Sequence, residues 1–466
     1  MPNVLVISPP FYSHAKPLAA LAGAMAGRGA RVTFACIPEL KFLADDQTVD
    51  FHPFEGASNR NTGLGSTTEQ PTEDRDRLLS FLKATRRGAV ASLTSQANNR
   101  RGDMLQDPGR VLESVRALYE TVRPDWFLVD QLSYPVTLAL HCLGVPFASF
   151  VAGHPTDLPR DSRSFFGVPD RWPEEIYVDE EGLVGLKRLA RQVDRAFTDS
   201  FNDVIRSVNP SSAPVESAFS FSSESARVFN YPEAGTAYPC QEGRDLFIGH
   251  CTAKSGELPS EWTRNLDRLT GRPRVLIAFG TFQWVHTDVI RAVHRGIRQA
   301  YPDAAFVVSA GDRAEELSDI ADGGTLLCDF LPQLPLLPSM DVVVHHGGNN
   351  SFTESVVSSV PAIVLPFAAD QFAVARDVSL LGLGQVLDPN RCTPDDVARA
   401  VTSVLGSGIR ERVGAMAARV RARGPAWAAE RILVQMDTGR TTEGTGPSQH
   451  GPSQHGPLKH GPVQHG

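Results

Sequence analysis

The 466-residue chain has little cysteine. Its six cysteines, Cys36, Cys142, Cys240, Cys251, Cys328 and Cys392, form no Cys-x-x-Cys pair, and no two have zinc-ligand spacing. Free thiols, mostly buried, are the expectation, and with them a reducing, cytoplasmic setting. Basic residues are not in excess: 45 Lys and Arg face 53 Asp and Glu, a net charge of −8. That argues against nucleic acid, which calls for a basic face. It leaves open a phosphate-bearing small ligand, which backbone amides can hold locally. No run approaches the ~18 apolar residues of a membrane-spanning helix. The start, Met1-Pro2-Asn3-Val4, lacks the basic segment and apolar stretch of a cleaved leader.

What is present is ordinary for a globular protein, 41% hydrophobic and 21% charged. At roughly 150 residues per domain the length suggests two or three units. Val4–Ile7, the Ala/Leu-rich stretch opened by Pro17, and Val32–Cys36 read as strand, helix, strand. Trp126–Val129, Pro135 to Leu143, and Phe147–Val151 repeat that pattern. A second series runs through Arg274–Phe279, Thr287–Ala300, Ala305–Ser309, Leu326–Phe330, Val342–His345 and Ala362–Leu365. Two such series predict an α/β protein with two doubly wound, Rossmann-like domains facing each other across a cleft.

The expected division is an N-terminal domain over 1–237, a linker over 238–260 and a C-terminal domain over 261–409. One closing helix over 410–437 follows, then a tail over 438–466. The tail repeats Gly-Pro-x-x-His with period five, at His450, His455, His460 and His465. That composition predicts disorder, with a metal-binding tract as the alternative.

Candidate chemistry concentrates in 330–371. Phe330-Leu331-Pro332-Gln333 is followed by His346-Gly347-Gly348-Asn349-Asn350-Ser351, then Glu354, Val360-Pro361, Pro366 and Asp370-Gln371. A Gly-rich turn from a strand into a helix offers free amide N–H groups and a positive dipole end to a diphosphate. Glu354, one turn into that helix, suits a ribose diol. Asp370 and Gln371 follow another strand end, where ligands of open α/β sheets bind. In the first half, His14 follows the first strand, and Asp130 ends the strand begun at Trp126. A histidine titrates near working pH and suits a general base; a carboxylate would orient it. Asp74-Arg75-Asp76 matches the Asp-x-Asp of metal-dependent transferases, but stands in a polar stretch and reads as a solvated helix start.

These residues resemble the family-1 glycosyltransferases of GT-B fold. Their C-terminal signature runs W-x-P-Q, H-x-G-x-N-S-x-x-E, G-V-P and D/E-Q, and the spacing from His346 to Gln371 matches. The resemblance implies that Phe330 stacks on the nucleotide base with Gln333 beside it. It implies that His346, Gly348 and Ser351 meet the phosphates, supported by Asn350 and by Gly280-Thr281. Glu354 would bind the ribose, and Asp370 with Gln371 the transferred sugar. His14, in H-x-x-P, would be the general base and Asp130 its partner. The chain departs from the pattern with Phe330 for Trp, Ser359 for Gly and Val374 for Asn.

The function this implies is inverting transfer of a sugar from UDP or dTDP to a hydroxyl of a small, apolar acceptor, with no metal and no other cofactor. His154 and Phe81 are candidate acceptor contacts, and Phe165, Phe166 and Trp172 candidate pocket lining. A monomer or homodimer is expected. Two other readings are a non-catalytic helper that activates a partner enzyme, and a nucleotide-sugar 2-epimerase. The presence of His14, Glu354 and Asp370-Gln371 counts against the first, and the His-x-x-Pro segment together with the Asn-Ser-x-x-Glu block counts against the second.

Overall fold

The computed structural model describes residues 1–57, 72–161, 163–233, 238, 240–252, 256–280 and 286–443. Two parallel sheets dominate them. The first has the order β3-β2-β1-β4-β5-β6-β7, from β1 (Asn3–Ile7), β2 (Arg31–Cys36), β3 (Asp50–Pro53), β4 (Trp126–Asp130), β5 (Phe147–Val151), β6 (Arg227–Phe229) and β7 (Asp245–Phe247). The second has the order β10-β9-β8-β11-β12-β13, from β8 (Arg274–Ala278), β9 (Ala305–Ser309), β10 (Thr325–Cys328), β11 (Val342–His345), β12 (Ala362–Val364) and β13 (Gly384–Val386). Val4–Ile7 of β1 and Val342–Val344 of β11 are apolar and buried, as suits strands that are central in their sheets. Both sheets reverse direction of travel at one point, between β1 and β4 and between β8 and β11. Such switch points place a crevice at the strand carboxyl ends.

The helix Tyr12–Ala26 begins before Pro17, not at it. His14 therefore lies in its first turn rather than in a loop. Pro17 has no N–H for the carbonyl of Ser13, four residues back. That carbonyl instead accepts a 2.7 Å hydrogen bond from Asn350 Nδ2 of the other domain. The proline that would weaken an isolated helix here frees an acceptor for the domain interface.

Two other expectations change. The stretch 238–260 contains β7, the edge strand of the first sheet; three residues are too few for a period-2 signal. The single closing helix is two, Ser407–Arg421 and Pro425–Glu443. Gly424, at φ +94°, turns the chain between them, and Pro425 can only begin a helix, not continue one. The second helix crosses back to the N-terminal domain. There Ala428, Ala429, Ile432 and Met436 are buried with Leu18, Leu21 and Met25 of the first helix. Helices Thr72–Thr85 and Ala89–Met104 lie between β3 and β4. The Asp-x-Asp falls in the first of these, and the period-five tail lies outside the described residues from 444 on.

The two domains share a core on one side of the cleft. Leu93, Ala97, Ile176 and Leu186 of the N-terminal half are buried in one cluster with the second sheet. Trp172 meets Phe372 at 5.2 Å, and Arg86 forms a two-pronged ion pair with Asp288. No helix among the described residues is long and apolar enough to cross a membrane.

Candidate active site

The site is built from strand ends of both switch points. Asp130 closes β4 and is fully buried. Its Oδ1 accepts the N–H of Leu132 at 2.9 Å, which fixes the carboxylate. Its Oδ2 lies 3.0 Å from Nδ1 of His14, so Nδ1 carries the proton and Nε2 is left to receive another. The His14 side chain is 18% exposed, a ring on the cleft surface backed by a buried charge. Burial pushes its pKa down. The charge of Asp130, its hydrogen bond and the charge of Asp370 outweigh that and hold the imidazole above its ordinary value.

Across the cleft, β11 ends in His345, and Gly347 follows at φ +88°. A Cβ there would meet the Gln371 carbonyl oxygen at 3.0 Å, so the turn needs glycine. Gly348 is the N-cap of the helix Asn349–Val357 and contributes no side-chain cap. The first backbone bond of that helix runs from Phe352 N–H to the Gly348 carbonyl. The amides of Asn349, Asn350 and Ser351 are thus free of intrahelical partners, as in any first turn. The His346 ring lies between Gly280 and Gly348, where added Cβ atoms would come to 2.7 and 2.4 Å of it. Burial pushes His345 down to about 3 and His346 down to about 4. Near neutrality both rings bring hydrogen-bonding capacity without charge.

Glu354 is 3% exposed, and both of its oxygens are engaged: Oε1 by Lys16 Nζ and Oε2 by Gln333 Nε2, each at 2.8 Å. Phe330 is 54% exposed, an open ring beside Gln333 in the chain. Gln371 Oε1 accepts the N–H groups of Phe367 and Ala368, at 2.8 and 3.0 Å, and so shapes the loop that presents Asp370. Ala369, at φ +52°, is held in the left-handed region by that loop, and its N–H reaches Gln96 of the other domain at 3.0 Å. Thr281 lies outside the described residues.

His154 donates its backbone N–H to Asp370 Oδ2 at 3.0 Å, but its ring is engaged elsewhere. It is buried, with Nδ1 2.8 Å from Thr156 Oγ1 and Nε2 3.1 Å from Asp377 Oδ2. Tyr231 OH donates to the same Asp377 oxygen at 2.9 Å. The ring is spent on an interdomain latch and has no nitrogen left for an acceptor. Phe81 and Phe165 pack against the core that the two domains share, and Phe166 stacks on Phe219 at 4.8 Å. None of these lines the apolar cavity of about 140 Å³ beside the dyad, where Pro9, Phe11, Phe54, Met104, Leu132 and Val136 stand instead.

Comparison with known proteins bears on this geometry. Residues 298–429 match the family model described as "Erythromycin biosynthesis protein CIII-like, C-terminal domain". The zeaxanthin glucosyltransferase of Pantoea ananas is 24% identical over 94% of this chain and 97% of its own length. The demethyllactenocin mycarosyltransferase of Streptomyces fradiae is 30% identical over 44% of this chain and 43% of its own. The crystal structure of the kitacinnamycin glycosyltransferase superposes with a TM-score of 0.67 at 22% identity, covering 93% of this chain and 99% of that one. These matches support a family-1 nucleotide-sugar glycosyltransferase of the bacterial natural-product type.

The fold is GT-B, and the helical turn that carries His14 is joined to the helix Asn349–Val357 of the other domain by the Asn350–Ser13 and Lys16–Glu354 hydrogen bonds. Several neighbours were not singled out. Lys16 sits inside the His-x-x-Pro segment at a variable position. Asn349 donates to the carbonyls of Ala152 and Asn230, at 2.6 and 2.7 Å, and clasps the domains together. Asp157 faces Asp370 across Gly153: a Cβ on Gly153 would lie 2.4 Å from Asp157 Oδ2 and 2.9 Å from Asp370 Oδ2. Burial first, and for Asp157 the Asp370 charge next, push both carboxyls above the usual carboxylate range. Among the described residues, no group of three or more His, Cys, Asp or Glu side chains is placed to hold a metal ion.

Proposed function

We propose that this enzyme transfers a sugar from UDP or dTDP to a hydroxyl of a small, apolar natural-product acceptor, with inversion and without a metal ion. The observation that carries the reading is the His14–Asp130 pair at 3.0 Å, opposite the Gly-rich helix start at 346–351. In this reading the acceptor lies in the apolar cavity beside Phe11 and Leu132. Its hydroxyl points at Nε2 of His14, which takes the proton as the oxygen attacks the anomeric carbon. Asp130 holds the tautomer and balances the imidazolium that forms. Negative charge develops on the departing diphosphate, where first-turn amides and His346 donate hydrogen bonds. Phe330 offers a face to the base, Glu354 takes the ribose, and Asp370 the sugar hydroxyls. One displacement inverts the anomeric centre.

The test is His14→Ala, assayed with donor and acceptor panels by mass spectrometry and for nucleotide binding by calorimetry. Transfer is expected to vanish while UDP or dTDP affinity stays within about twofold, since His14 contacts no donor group in this scheme. Retained transfer refutes the base assignment. The helper-protein reading would be favoured by a wild-type protein that binds a partner enzyme yet transfers nothing.

A further inference from the structure

Glu354 presents a difficulty for the donor site just described. The carboxylate that is to receive a ribose diol already holds Lys16 on one oxygen and Gln333 on the other. Gln333 belongs to the same domain. Lys16 comes from the opposite one, two residues after His14 in the same helical turn. Its ammonium has three donors, and its side chain is 33% exposed, so it keeps a path to the cleft. Burial works against its charge, but Glu354 and Tyr12 outweigh that and favour the protonated amine.

A nucleoside diphosphate brings negative charge to the first turn of the helix, where Asn349 to Ser351 stand five to three residues before Glu354. At ~1.5 Å of rise per residue that is about one turn along the axis. The imidazoles of His345 and His346 are neutral there, and Glu354 and Asp370 add acid rather than base. The amides and dipole of the helix cover part of the charge. The turn that carries Lys16 is fixed against the same helix start, because Asn350 Nδ2 holds the Ser13 carbonyl at 2.7 Å. The Lys16 stem has four rotatable carbons and can swing its ammonium over one helical turn.

We propose that Lys16 is a diphosphate-binding residue that acts by exchange: Nζ leaves Glu354 for the phosphates as the donor enters, and Glu354 Oε1 passes to the ribose. The proposal rests on the donor lying over 346–351. One ion pair then does two tasks. It neutralises a buried carboxylate before binding and delivers a cation after it.

The experiment compares UDP with uridine, and dTDP with thymidine, by calorimetry on the full chain as wild type, Lys16→Met and Lys16→Arg. Lys16→Met is expected to weaken diphosphate binding about ten- to fiftyfold, the scale of one charge-assisted hydrogen bond. Nucleoside binding should hold or tighten, because Glu354 is released. Lys16→Arg should recover most of the diphosphate affinity. Equal losses for nucleoside and diphosphate, or no loss for either, overturn the exchange and leave Lys16 as a domain latch. A wild-type protein that binds neither UDP nor dTDP overturns the donor site itself.

Discussion

Replacing Asp130 by Asn probes the dyad without changing its shape. The residue is fully buried, with Oδ2 3.0 Å from His14 Nδ1 and Oδ1 on the Leu132 amide. An amide can satisfy only one of these with its oxygen; if its NH2 faces His14, the ring must take the other tautomer, with Nε2 protonated and useless as a base. A charge-assisted hydrogen bond contributes about 1.5–3 kcal/mol. At about 1.4 kcal/mol per decade, its loss alone slows transfer roughly 10- to 100-fold. The tautomer penalty carries the total towards about 10⁴-fold, the scale seen when a buried dyad carboxylate is neutralised.

The pH profile supplies an independent sign. A general base must be unprotonated, so kcat/KM rises with pH through the His14 pKa. In the wild type Asp130 holds that pKa above its ordinary value despite burial. Without the carboxylate, burial prevails and the acidic limb moves to lower pH, even as the plateau falls. Donor KM should stay within about twofold, since Asp130 meets no donor group. Steady-state rates from pH 5 to 9 read all three quantities. A plateau that falls with the acidic limb unmoved, or moved upward, would refute the role given to Asp130.

His154→Ala should destabilise the fold by about 1–3 kcal/mol, because it removes one of the two side-chain partners of the buried Asp377 oxygen and leaves only Tyr231. Urea unfolding measures that, and acceptor KM in the variant should match wild type; a raised acceptor KM with unchanged stability would return His154 to the pocket. Transfer should proceed equally in EDTA and in added magnesium, with helix-start amides and His346 meeting the diphosphate. Activity lost in chelator and restored by a divalent ion would contradict it.

Much of this architecture was legible because its signals are local. The strand–turn–helix repeats, the His346–Ser351 turn and the pairing of His14 with a strand-terminal Asp130 depend on residues near in sequence or on strand ends of one sheet. The dyad follows because β1 and β4 are neighbours, so residues at their carboxyl ends converge. What was not legible arises between domains. Nothing in the vicinity of Lys16 announces Glu354, 338 positions away. The His154 ring looks like an acceptor contact until the Asp377 and Tyr231 side chains close over it. Pro17 reads as a helix start, and only the Asn350 bond to Ser13 explains its place inside the helix. Gly424-Pro425 is a different case: that dipeptide is itself a break signal, and the two-helix ending could have been read from it. Ser359, where the family pattern has Gly, sits at φ +60°, so the departure keeps the glycine's backbone shape.

Direct displacement across the cleft has one product signature. Purified enzyme supplied with an α-linked UDP- or dTDP-glucose and an apolar alcohol that it accepts should yield a β-glycoside. The proton NMR coupling at the new anomeric centre reads this from the isolated product. A large diaxial coupling is the expected result; a small coupling, marking an α-glycoside, would contradict single displacement with His14 as the base.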